Sequence, residues 1–87
     1  MYNYLELKPW VFTDAGQRQF LRIRDRVYRL LDEAGAVRMK EAIDKETGSN
    51  WEMIACVDRM VELGELKELT GQGCSGQHRV FVEVNHG

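Results

Sequence analysis

The chain has one proline and two cysteines among 87 residues, and its formal net charge is only −2. It also lacks any apolar run near the roughly 18 residues that a membrane span needs. Each shortage excludes something. Cys56 and Cys74 are too few for a disulfide framework, and Cys56 lies in an apolar helical stretch where a small buried hydrophobe is expected. The N-terminus shows no signal-peptide pattern, so a reducing cytoplasm is the expected setting. With 44% apolar residues and so little net charge, the chain is not a disordered one. No internal repeat is visible. What remains is the composition of an ordinary globule, long enough for one domain and short enough that a lone copy would be marginally stable.

Residues 1–12 are rich in aromatics and interrupted by Pro9. Tyr2, Tyr4 and Glu6 alternate with Asn3, Leu5 and Leu7, which predicts an extended arm or edge strand ahead of a domain over residues 13–87. Trp10 and Phe12 are expected to clamp that arm to the domain or to a second subunit. A long amphipathic helix follows from Thr13 to Ala34, capped by Thr13 or Asp14 with Gln17 completing a box, and ended by Gly35. Phe20, Ile23, Val27, Leu30, Leu31 and Ala34 share one face, flanked by Leu21 and Tyr28. Arg18, Arg22, Arg26 and Arg29 share the other, where Asp25 and Glu33 offer i,i+3 and i,i+4 partners.

A short second helix is predicted from Val37 to about Asp44, with Met39, Ala42 and Ile43 inward, then a turn around Gly48. Ser49 and Glu52 form an S-x-x-E box before a third helix from Asn50 to about Leu63, whose buried face is read as Trp51, Ile54, Val57 and Val61. Beyond Gly64 the period changes. Leu66–Leu69 and Arg79–Val84 read as two strands joined by a glycine-rich loop, with Val80, Val82 and Val84 on one face and Phe81 and Glu83 on the other. The fold class is therefore mostly α with a small β-hairpin.

The stretch SNWEMIACVDRMVELGELKEL, Ser49 to Leu69, followed by RVFVEV, Arg79 to Val84, resembles the third-helix-to-wing segment of winged-helix regulators. The resemblance spans roughly residues 15–84 and implies a three-helix winged helix-turn-helix with an N-terminal arm. It further implies a small DNA-binding regulator whose third helix enters the major groove. On that reading Ser49, Asn50 and Arg59 meet bases or phosphates, His78 and Arg79 touch DNA from the wing, and Arg22 and Arg26 add phosphate contacts. The small size and the arm fit a phage or mobile-element product.

The pI near 5.6 pulls the other way, because dedicated DNA-binding domains are usually basic. Glu52, Asp58 and Glu62 on the third helix would repel a polyanion, and the alternating charges of the first helix equally suit plain solvation. The alternative is a non-catalytic interaction module that presents Glu52, Asp58 and Glu62 to a larger protein or nucleoprotein complex. Tyr4, Trp10, Phe12, Leu21 and Tyr28 exceed what a small core needs, and a homodimer sharing them is expected.

No constellation supports catalysis. Cys74 and His78 lack a second ligand pair or an orienting acid, and His86 lies at the tail. The loop GQGCSG leads into a strand, whereas a phosphate-binding loop must lead into a helix. No enzyme activity, metal, cofactor, small-molecule substrate or membrane is expected; the partner is DNA or a protein.

Overall fold

The computed structural model describes residues 1–84; His86 lies outside them. Four helices and three short strands follow one another: α1 (Tyr4–Val11), α2 (Asp14–Ala34), β1 (Val37–Arg38), α3 (Met39–Ala42), α4 (Asn50–Glu62), β2 (Leu66–Leu69) and β3 (Val80–Glu83), with a 3-10 turn at Gly76–His78. The molecule is thus mostly helical, with one small antiparallel sheet.

The N-terminal segment is helical, not extended. Asn3 caps it by accepting from the Leu5 N–H at 3.0 Å. Tyr4, Leu7 and Val11 then recur at i, i+3 and i+7, the spacing of one helical face, and Val11 is wholly buried. Pro9 stands within the helix on an exposed position, where a short element tolerates one missing N–H. α1 packs chiefly on α4 and meets the start of α2.

α2 begins at Thr13, whose hydroxyl accepts from the Gly16 N–H at 3.1 Å. Gln17 does not close the expected box; its amide donates to the Val11 carbonyl at 2.7 Å and ties the end of α1 to α2. Gly35, at φ 79°, ends the helix in the left-handed conformation that glycine adopts without strain. The core face is Phe20, Ile23, Val27 and Leu31, as the periodicity predicts, while Leu30 is half-buried and Ala34 exposed.

The segment after Gly35 departs from expectation. Val37 and Arg38 extend as β1, and only Met39–Ala42 is helical. β-branched Val37 pairs with Phe81 in the sheet and is 1% exposed, so pairing and burial outweigh a longer helix. The sheet order is β1–β3–β2, all antiparallel, with Glu68 opposite Phe81 and Leu69 opposite Val80. β3 is central, and its core-facing residue is Phe81; Val80 and Val82 lie half-buried on the other side.

α4 crosses the core between α1 and α2. Its buried residues are Met53, Ala55, Cys56, Val57 and Met60. The expected face was rotated: only Val57 is common to both, Ile54 and Val61 are half-buried, and Trp51 is 45% exposed. Met53, read as outward, is a core residue. Ser49 occupies the N-cap position, but its side chain makes no capping hydrogen bond. Among the described residues, no helix is long and apolar enough to cross a membrane.

Candidate binding surface

The residues nominated for DNA contact divide sharply. Arg22 and Arg26 both reach Glu46, at 3.3 and 3.0 Å, and Arg26 also donates to the Ala42 carbonyl at 2.9 Å. Gln19 donates to the same carboxylate at 3.2 Å. These residues fasten the turn after α3 onto α2; the expected pair of Arg22 with Asp25 is not formed. Burial opposes ionisation of Glu46, but the hydrogen bonds from Gln19, Arg26 and Arg22 outweigh it and hold its carboxyl below the usual range.

Arg59 bonds Glu62 at 2.7 Å and lies over the Phe12 ring, 4.8 Å from its centroid. Arg79 is the most committed of all. Its guanidinium meets Asp58 at 2.7 Å and Glu68 at 2.8 Å while covering the ring of Phe81. Glu68, followed by Asp58, holds Arg79 firmly protonated against the cost of its burial. Ser49, Asn50 and His78 are exposed, and their side chains form no hydrogen bond within the described residues.

The acidic face of α4 is likewise engaged. Tyr2 donates its hydroxyl to Asp58 at 2.6 Å. Glu62 accepts from Tyr4 at 2.6 Å, from Lys8 at 2.8 Å and from Arg59 at 2.7 Å. The hydrogen bonds from Lys8, Tyr4 and Arg59 lower the Glu62 carboxyl to about 2. Glu52 is half-buried. The N-terminal segment therefore engages two of the three carboxylates that the sequence offered to a partner, Asp58 and Glu62, while Glu52 forms no hydrogen bond or ion pair among the described residues. Tyr28 donates to Glu65, which Arg24 also binds at 2.7 Å, so of the expected interface aromatics Tyr4 and Tyr28 have their hydroxyls engaged within the chain. Trp10 is half-buried, whereas Phe12 and Leu21 are each 52% exposed.

Six of the twelve basic side chains thus sit in ion pairs: Lys8, Arg22, Arg24, Arg26, Arg59 and Arg79. Arg18, Arg29, Arg38, Lys40, Lys45 and Lys67 form none among the described residues. Arg38, Lys40 and Lys45 lie at or beside α3.

Sequence reasoning missed the surface where α3, the first turns of α4 and the 3-10 turn meet. A cavity of about 490 Å³ opens there, lined by Met39, Lys40, Ile43, Asn50, Trp51, Ile54, Gly76 and Gln77. Trp51 stands at its edge and packs edge-to-face on Tyr2 at 6.4 Å. The signal was in the sequence, since Trp51 and Ile54 fall together on a helix, but they were assigned to the core. Cys56 is buried, and burial with the nearby Glu46 and Glu52 pushes its thiol up to about 12, which makes it unreactive. Among the described residues no three His, Cys, Asp or Glu side chains converge as metal ligands would. No protein-family model, no curated protein and no solved structure matches the chain.

Proposed function

We propose that the chain is a non-catalytic protein-interaction module of winged-helix type, with the outward side of α4 as its contact surface. The order of helices and the β2–β3 hairpin after α4 support the winged-helix assignment. The observation that carries the function is the state of the arginines: Arg22, Arg26, Arg59 and Arg79 are all bound to carboxylates of the same chain. To grip a phosphate, Arg79 must leave both Asp58 and Glu68. Hydrogen bonds to charged groups are worth about 1.5–3 kcal/mol each, so one new phosphate contact does not repay two lost ones. The side chains α4 leaves for a partner are instead Trp51 and Ile54, large apolar groups of the kind that anchor protein interfaces.

DNA binding by the same fold is the second reading. It is favoured by Lys40, which borders the same cavity as the exposed Asn50 at the start of α4 and forms no ion pair among the described residues, with Arg38 and Lys45 close to it in the chain. Replacing Trp51 by the photo-crosslinker p-benzoylphenylalanine in the full chain separates the two in the native host. The expected result is an irradiation-dependent adduct with a protein; a nucleic-acid adduct would overturn the reading.

A further inference from the structure

The cavity at the meeting of α3, α4 and the 3-10 turn combines an apolar floor with unused polar groups. Met39 is 1% exposed at its base, Ile43 and Ile54 are half-buried, and Trp51 forms an exposed wall. The side-chain amides of Asn50 and Gln77 and the indole N–H of Trp51 make no hydrogen bond within the described residues. Lys40 is the one charged residue of the lining, and it forms no ion pair among the described residues. A mostly apolar recess with a few convergent polar groups is the usual form of a recognition site, and about 490 Å³ lies inside the roughly 300–1,000 Å³ such sites span.

We propose that this cavity receives a bulky apolar side chain from an acidic segment of a partner protein. The proposal rests on the protein-interaction reading and specifies the partner's chemistry. Charge complementarity selects the occupant. Lys40, the one charged group of the lining, is met by a carboxylate close to the apolar anchor. Asn50 and Gln77 each offer a donor and an acceptor to the backbone of an extended peptide. Phosphates would satisfy Lys40 alone and leave Met39, Ile43 and Ile54 without a counterpart. Lys40 also borders the neighbouring depression with Arg29, Glu41, Asp44 and Lys45, but neither Glu41 nor Asp44 lines this one.

The test is amide-resolved NMR of the isotope-labelled full chain. The probe is a peptide of about a dozen residues, rich in Asp and Glu with one central Leu. Its controls are the same peptide with central Ala, a Lys-rich version, and a mixed-sequence duplex. The acidic Leu peptide should move the amide signals of Met39, Ile43, Ile54 and Gln77 saturably. Affinity should fall at least about tenfold with the Ala peptide, with Lys40→Glu, or with Trp51→Ala. Lys40 is exposed, so Lys40→Glu should keep the wild-type melting temperature; Trp51→Ala gives up its contact with Tyr2 and is compared well below its own midpoint. Shifts around Phe12 and Leu21 instead would overturn the cavity as the site and leave the interaction reading standing. Absence of shifts with every peptide overturns the cavity proposal alone, since crosslinking from position 51 still reports the partner class. Shifts at Arg38, Lys40 and Lys45 with the duplex and none with peptides overturn both.

Discussion

Gly16 lies in the first turn of α2, where alanine would ordinarily add up to about 1 kcal/mol of helix stability. Here a β-carbon would stand 2.1 Å from the Trp10 carbonyl oxygen and 2.8 Å from the Val11 Cα. Both are backbone atoms that cannot turn aside. Gly16→Ala should therefore destabilise the protein by about 1–3 kcal/mol, visible as a lower midpoint in denaturant with an unchanged slope. Arg79 illustrates the opposite limit. Its residue type and place beside the glycine loop suggested a DNA contact, but its partners Glu68 and Asp58 are 11 and 21 positions away in the chain. No local pattern joins such residues; only the pairing of β2 with β3 and the passage of α4 beneath them does.

Among the elements, α2 and the boundaries of α4 were legible because each is amphipathic, starts after a residue suited to the N-cap and stops before a glycine. α1 was not. Two overlapping patterns occupy residues 2–11, and the presence of Pro9 favoured the extended one, although Tyr4, Leu7 and Val11 carry the helical spacing and Asn3 the cap. The phase of α4 was missed because its burying groups are Met, Cys and Ala, while its bulkiest residue, Trp51, faces outward. The seam between α1 and α4 has a spectroscopic signature. Burial and hydrogen bonds to Asp58, Glu62 and Glu65 raise the ionisation of Tyr2, Tyr4 and Tyr28, all the tyrosines of the chain. An absorbance titration of the native protein should show no phenolate in the ordinary tyrosine range, and the denatured chain should show all of it. Two tyrosines ionising normally in the native state, with Tyr28 still suppressed by Glu65, would mean that the N-terminal segment is not docked on α4.

The same contacts set the acid limit of the elements they join. Glu46, Glu62, Glu65 and Glu68 all ionise below their ordinary range in the fold. A carboxyl depressed in the folded state stabilises that state fully above its unfolded value and loses the effect as pH falls through its folded value. For Glu62 that window runs from 4.5 down to about 2. Thermal midpoints should hold from neutral pH to about 4.5 and then decline steadily, with Glu62→Gln removing part of the decline.

At the scale of the whole molecule, the order from α2 to the hairpin, β1 apart, was readable from periodicity and turn chemistry, and the surface was not. A count of arginines and lysines says nothing of which are already neutralised. Folding brings half of the basic groups against carboxylates, ties Asp58 and Glu62 of α4 to the N-terminal segment, and leaves a recess bordered by Trp51 and Lys40. Both functional readings of the sequence relied largely on charges that the fold spends internally, and of the residues they named only Asn50 lines the recess.

The most direct measurement is fluorescence anisotropy of a labelled mixed-sequence duplex titrated with the purified protein at about 50 and 200 mM salt, the range over which phosphate contacts declare themselves. If the arginines are held by their carboxylates, the wild-type protein leaves the duplex unbound up to about 100 μM at the lower salt, the weak end of the roughly 1–100 μM dissociation constants typical of non-specific binders even at physiological salt. Tight binding at 50 mM that weakens by a hundredfold or more at 200 mM would contradict this, and would mean that the ion pairs of Arg59 and Arg79 yield to phosphate.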